Sequence, residues 1–345
     1  MTTTVKPTAL VQLDHGAYWT SIATTRFGFC VCAYKDQVSY IDEQFRSHQI
    51  PGKWSGRLYG SSILPSNDPD EDVRIAIRHS NRLTVVDLEG NILFQCSAAE
   101  GANYFGDSLF DPHRNELWLS TTLSRDQFEI QILDTNSWQV VAQRVIDDPM
   151  SDHSGQTFHH TYQPGIVGLD LTTGGCGEAF LILNRENGIS FENGDISEGR
   201  YTVFSPDDKE FLVNEGHSAI VRYGYPEIGP YDYTDNLDEA LSEYSGEDSS
   251  VGNSIAYLDS SRALISDDDS ILGVLNLSSM KLQGTVKVKL DDDACSWSND
   301  PNLANKSMNW TTFCRVHDQI VFVQRHGFDK EATAWIWIVP VAQFV

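Results

Sequence analysis

The chain has 345 residues, 40% of them hydrophobic and 11% aromatic, so a large core is available and global disorder is excluded. Lys and Arg total 24 against 49 Asp and Glu, a net charge of −25. That balance repels phosphate backbones and anionic lipid, which disfavours nucleic acid or a membrane surface as partner and favours encounter with a basic protein.

Met1–Gly16 carries one Lys and an apolar stretch, Ala9-Leu10-Val11, too short for a secretory signal core. No apolar run is long enough to span a bilayer. The six cysteines (Cys30, Cys32, Cys96, Cys176, Cys295 and Cys314) contain no Cys-x-x-Cys pair, and free thiols in a reducing cytoplasm are the expectation.

Short apolar runs separated by turn residues recur along the chain, and helical periodicity is nearly absent, so many strands are expected. The first set is Phe27–Tyr34, Gln37–Asp42 and Gln44–Ile50. Val73–Arg78, Arg82–Asp87 and Asn91–Cys96 form the second. Glu116–Thr122, Gln127–Asp134 and Trp138–Val145 form the third; Gly165–Leu171, Ala179–Leu183 and Gly188–Phe191 form the fourth. Tyr201–Phe204, Lys209–Val213 and Ala219–Tyr223 open a fifth. Asn253–Leu258, Ala263–Ile265, Ile271–Leu277 and Lys281–Val288 make the sixth, and Met308–Cys314, Gln319–Gln324 and Ala334–Val339 the seventh.

Several sets share a phrase at their first hairpin. Phe110-Asp111-Pro112-His113-Arg114-Asn115-Glu116-Leu117-Trp118-Leu119 reads like Phe204-Ser205-Pro206-Asp207-Asp208-Lys209-Glu210-Phe211-Leu212-Val213, and Tyr257–Ile265 is a looser copy. Asp, Ser and Pro stabilise such turns locally. The first two copies lie 94 residues apart, two units of 47, which matches a four-stranded repeat. On these residues the chain resembles the WD-repeat-like β-propeller superfamily over nearly its whole length. It departs from the pattern in having no Trp-Asp pair among its eight Trp, and Gly216-His217 as its one Gly-His pair. The resemblance implies an all-β single-domain propeller over 1–345, with seven four-stranded blades. The seventh set lacks a fourth strand and Thr8–Leu13 is spare, so this N-terminal strand is expected to pair into the last blade and close the ring.

Catalytic motifs are missing: there is no Gly-x-Ser-x-Gly, no phosphate-binding Gly-rich loop and no His-Glu-x-x-His. Gly174-Gly175-Cys176-Gly177 joins two strands and is read as a tight turn. His153, His159 and His160, beside Asp152 in the loop leading into the fourth set, are the candidate metal ligands. Adjacent His159 and His160 on a strand would point to opposite faces, which favours a surface or packing role. The acidic runs Asp68–Asp72, Asp267–Asp269 and Asp291–Asp293 lack calcium-loop spacing and read as solvated turns. No cofactor is implied.

Pro226–Ser250 interrupts the pattern after the fifth set. It carries eight acidic residues and no Lys or Arg, interleaved with tyrosines. Asn236–Tyr244 fits a short helix, with Leu237 and Leu241 one turn apart. Glu227, Tyr231, Asp232, Tyr233, Asp235, Asp238, Glu239, Glu243 and Tyr244 are the candidate partner-binding residues: carboxylates steer and pair with Lys or Arg, and Tyr adds rigid contact area. The expectation is a non-enzymatic propeller binding a basic protein, as a toxin-neutralising immunity protein or a scaffold. The rival is a metal-assisted hydrolase or lactonase with its site over the central channel. A sugar- or small-ligand-binding propeller rests only on the abundant Trp and Tyr, which core positions such as Trp335 and Trp337 explain.

Overall fold

The structure, a computed structural model, describes residues 2–13, 29–32, 37–42, 44–52, 54, 58–64, 73–79, 81–98, 102, 104–149, 155–160, 163–172, 178–194, 199–207, 209–215, 219–224, 230–234, 237–245, 251–267, 272–288, 311–326 and 333–344. Two short strands come first, β1 (Thr2–Val5) and β2 (Ala9–Leu13). The first sheet comprises β3 (Phe29–Cys32), β4 (Val38–Ile41) and β5 (Ser47–Ile50); the second, β6 (Leu58–Leu64), β7 (Arg74–His79), β8 (Arg82–Val86) and β9 (Ile92–Ser97). The third is β10 (Tyr104–Asp111), β11 (Glu116–Thr122), β12 (Gln127–Asp134) and β13 (Val140–Asp147). The fourth is β14 (Gly155–His160), β15 (Ile166–Thr172), β16 (Glu178–Asn184) and β17 (Ser190–Gly194). The fifth is β18 (Gly199–Phe204), β19 (Glu210–Glu215), β20 (Ala219–Gly224) and β21 (Pro230–Tyr233), followed by helix α1 (Leu237–Ser245). The sixth is β22 (Val251–Asp259), β23 (Arg262–Asp267), β24 (Leu272–Asn276) and β25 (Lys281–Val288). The seventh is β26 (Thr311–Val316), β27 (Gln319–His326) and β28 (Thr333–Pro340), capped by a 3-10 turn at Val341–Phe344.

Within every sheet these strands pair antiparallel in chain order. Residues 17–197, with sheets one to four, form one compact unit, and residues 1–16 with 198–345, holding sheets five to seven, form a second. In the first unit β3, β6, β10 and β14 are successive neighbours; in the second, β18, β22 and β26 are.

Side-chain alternation couples the second and third sheets each to a sheet on either side. In β11 every residue is buried. Leu117 and Leu119 pack with Leu64, Ala76, Leu83 and Val85 of the second sheet, whereas Trp118 packs with Phe158, Leu169 and Leu181 of the fourth. The same split occurs in β7, where Ile75 and Ile77 meet Val38 and Tyr40 of the first sheet while Ala76 faces the third. A strand covered on both faces reads as a continuous apolar run, and that is the signal by which the central strands were recognisable.

The innermost strands β6 and β14 were not among the expected sets, and of β10 only its end at Phe110 was. Their inward positions are polar: Ser62, Ser108 and Gln156 are buried. These groups bond between sheets. Ser62 Oγ donates to Ser108 O at 2.6 Å, Gln156 Nε2 donates to Thr122 Oγ1 at 3.3 Å, and Phe313 N donates to Ser254 Oγ at 3.4 Å. β21 also corrects the reading of Pro226–Ser250 as an interruption, because Pro230–Tyr233 completes the fifth sheet.

The hairpins into the outermost strands are held by carboxylates and amides. Asp42 Oδ1 accepts from Gln44 N and Arg46 N, Asp134 Oδ1 from Asn136 N and Ser137 N, and Asn276 Oδ1 from Ser278 N and Ser279 N. Each of these turns then passes through a left-handed residue, Phe45 (φ 60°), Trp138 (φ 56°) or Met280 (φ 51°). The side-chain acceptors hold a backbone conformation that non-glycine residues otherwise avoid.

The N-terminal strand does pair into the last sheet. β2 runs antiparallel to β28, with Leu10 opposite Trp337 and Leu13 opposite Ala334. In addition, β1 pairs parallel to β25, making the sixth sheet five-stranded. Gln343 locks the link between them, accepting from Lys6 N at 2.7 Å and donating to Lys6 O at 2.8 Å. Val5 and Leu13 are each 1% exposed, and burial of such a side chain stabilises by ~1.5–3 kcal/mol. Deleting residues 1–13 should therefore lower stability by about 3–6 kcal/mol and uncover two strand edges, β25 and β28. Urea unfolding followed by circular dichroism checks this, and an unchanged midpoint would show that the arm is dispensable.

Candidate functional site

Two places gather charged groups. The first is the acidic segment. Beyond β21, Thr234 is buried; its Oγ1 accepts from Ile220 N at 2.8 Å and its N donates to Ile220 O at 3.0 Å, which turns the chain towards α1. A helix of nine residues is marginal in water, so packing must hold it. Leu237 and Leu241 are 2% and 0% exposed and sit in a cluster with Leu212, Ile220, Ile255 and Tyr257. The expected short helix is thus present, at Leu237–Ser245, and its two leucines are buried in the core. The segment is clasped to the fifth and sixth sheets by these leucines.

Glu239 and Glu243 are exposed on α1, one turn apart. Like charges at this spacing cost an isolated helix roughly 0.2–0.5 kcal/mol, a cost that a bound cation would remove. Glu239, in the first turn, is favoured by the helix dipole. The last turn contains no basic residue. In β21, Asp232 lies opposite Arg222 and Tyr233 opposite Val221 in the strand register, and Tyr231 lies between the paired positions. Asp238 and Tyr244 fall within α1. Glu227 and Asp235 lie outside the described residues.

The second place is a charged network in the first unit. Arg78 on β7 is 5% exposed. Its Nη2 is 2.8 Å from Asp107 Oδ1 on β10, and its Nη1 donates to Gly106 O. Asp107 Oδ2 accepts from Phe158 N of β14 at 2.6 Å. One carboxylate therefore ties the second, third and fourth sheets together. Next to Phe158, His159 Nε2 lies 2.6 Å from Asp170 Oδ2 on β15. His159 stands opposite Gly168, where a Cβ would come within 2.6 Å of Phe180 Cζ, so glycine leaves room for the Phe180 ring that borders the imidazole.

This geometry corrects the placing of the histidines. His159 and His160 belong to strand β14 rather than to a loop, and His153 lies outside the described residues. Among the described residues no three His, Cys, Asp or Glu side chains group as metal ligands. The His159 imidazole is matched to the Asp170 carboxylate. Arg78, Asp107 and Asp170 were missed in the sequence, yet each is a charge inside an apolar strand, and a buried charge needs a partner. That mismatch was the available signal.

Two further clamps follow the same logic. Glu116 is held by Arg114 and Arg185 at 3.0 and 3.3 Å. Glu210 is bound by Arg222, whose Nη1 also donates to Leu277 O at 3.1 Å. Of the cysteines with described side chains, burial pushes the Cys96 thiol up to about 11 and the Cys314 thiol up to about 12, which makes both poor nucleophiles.

No protein-family model matches the chain, and no curated protein matches it. Among solved structures, a chain of the "Crystal Structure of Mitotic Checkpoint Complex" superposes with a TM-score of 0.62 at 9% identity, covering 98% of this chain and 92% of that one. The fold is a β-propeller. At this identity the likeness concerns fold alone.

Burial opposes the charged form of His159, but the facing Asp170 carboxylate and then Asp107 outweigh it, so its pKa lies above the ordinary 6.5. The native state then binds a proton that the unfolded chain releases. This contribution is complete below pH 6.5 and is lost as pH rises through the raised pKa. Urea midpoints measured from about pH 6 upward should decline for the wild type relative to H159Q; parallel profiles would refute the assignment.

Proposed function

We propose that this propeller is a protein-binding module whose acidic surface, centred on α1 and β21, engages a basic protein. The observation that carries this reading is a helix with a like-charge exposed pair, Glu239 and Glu243, fixed to the core by Leu237 and Leu241. Charges held in place lose little conformational freedom on binding, so they contribute more than charges on a mobile loop. The net charge of −25 supplies steering towards a cation-rich partner. The segment also contains Tyr231, Tyr233 and Tyr244, a residue type enriched where binding energy concentrates.

Neutralisation of a basic toxin by an immunity protein is one setting that suits such a surface, and a scaffold in a larger assembly is another. Both use the same face. The solved relative is a chain of a multiprotein complex by its title, which accords with a role in protein assembly. A cytoplasmic setting fits the free thiols Cys96 and Cys314.

The test leaves the core untouched. E239K/E243K keeps Leu237 and Leu241 in place and reverses the exposed charge. Wild-type protein used as bait in native lysate should capture a basic protein at low salt and release it at high salt. The variant should lose most of that capture while keeping its unfolding midpoint. Capture that survives both the substitutions and high salt would overturn the reading.

A further inference from the structure

The chain contains two Asn-Gly pairs, Asn187-Gly188 and Asn193-Gly194. Asn followed by Gly readily loses its side-chain amide, because no Cβ shields the next backbone nitrogen from the Asn Cγ. The two pairs share this local chemistry, and the fold separates them. Asn187-Gly188 lies at the tip of the hairpin from β16 to β17, which is closed by Asn184 opposite Ser190. Asn193-Gly194 lies within β17, with Asn193 opposite Leu181 and Gly194 opposite Phe180. A ladder pins the second pair in the extended form, whereas ring closure needs the peptide group to rotate towards the side chain.

At the hairpin tip that restraint is weaker. Asn187 and Gly188 have φ of 76° and 105°, in the region that Asn tolerates and Gly enters freely. A Cβ built at Gly188 would meet nothing within 4 Å, so conformation and not space requires glycine there. Asn187 is exposed, and among the described residues its side chain makes no hydrogen bond. Asparagines in comparable turns are held. Asn91 Nδ2 donates to Asp87, Asn184 Oδ1 accepts from Glu186 N, and Asn276 Oδ1 accepts from Ser278 N. The Asn187 amide is therefore open to water and free to approach the Gly188 nitrogen.

We infer that Asn187 is a self-modification site, converting to aspartate or isoaspartate, and that the ladder of β17 protects Asn193. The Gly188 nitrogen bonds to Asn187 Cγ, and Nδ2 leaves as ammonia with the proton of that N–H, closing a cyclic imide. Water then opens the ring. Cleavage at Cγ gives aspartate, and cleavage at the Asn187 main-chain carbonyl gives isoaspartate, whose chain runs through Cγ and is one methylene longer. Aspartate fits the turn as asparagine does, but the longer chain does not. This hairpin joins the third and fourth sheets: Arg185 Nε lies 3.3 Å from Glu116 Oε1, and Ile189 O accepts from Arg144 Nη1 at 2.5 Å. Within its own sheet, Arg185 N donates to Gly165 O at 2.9 Å. Isoaspartate at position 187 therefore loosens the joint. The site lies in the first unit and does not depend on α1.

The full chain is aged in warm, mildly alkaline buffer, digested and read by mass spectrometry at both pairs. Asn187 should convert at least about tenfold faster than Asn193 in the folded protein, because reaction inside a ladder requires local opening. In urea the two rates should converge, since each pair then sits in a free chain. Equal rates in the folded protein, faster conversion at Asn193, or an Asn187 that reacts only after unfolding overturns the inference. Aged protein separated by charge, with isoaspartate confirmed by peptide mapping, should unfold at lower urea than fresh protein. N187D carries the new charge without the extra methylene and should keep its midpoint. An unchanged midpoint in the isoaspartate form, or an equal loss in N187D, would overturn the account of the loosened joint.

Discussion

A sheet of this protein cannot be stable by itself, because its middle strands are apolar on both faces. Trp118 and its neighbours Leu117 and Leu119 point in opposite directions, and burying both sets requires a sheet on each side. The remaining structure follows from that requirement within each unit. It sets the four-stranded repeat, makes neighbouring sheets share one core, and leaves outer strands such as β9 and β13 the most exposed to water. The long apolar runs and the repeat of turns are two consequences of the same need.

Where the innermost strands converge, apolar packing gives way to polar stitching. Removing one partner from a buried ion pair costs about 3–5 kcal/mol, so a residue such as Arg78 is retained only while Asp107 faces it. Asp107 also receives Phe158 N, which means that this pair fixes the relation of three sheets as well as neutralising a charge. Hydroxyls perform the same task elsewhere, at Ser62 with Ser108 and at Ser254 with Phe313. These contacts are directional, unlike the hydrophobic cores, and they set register.

The proposed function falls where this scheme is relaxed. At α1 the core reaches outwards through two leucines and holds carboxylates that the fold does not need.

The sequence by itself determined the strand-rich class, the repeat of about 47 residues, the pairing of the N-terminal strand and a short helix, observed at Leu237–Ser245. Each depends on local pattern: apolar alternation, turn chemistry at Asp and Ser, or two leucines one helical turn apart. Only the tertiary structure decided the rest. The strands β6 and β14 carry Gly, Ser, Gln and His where a strand signal was sought, because their inward positions bond to other sheets instead of packing apolar. The matching of Arg78 with Asp107, and of His159 with Asp170, joins residues on different strands. Which side of β13 would be left to solvent was equally hidden, since its valines read like any other strand. Periodicity is a property of neighbours along the chain, whereas charge pairing and exposure depend on which strands are brought together in space.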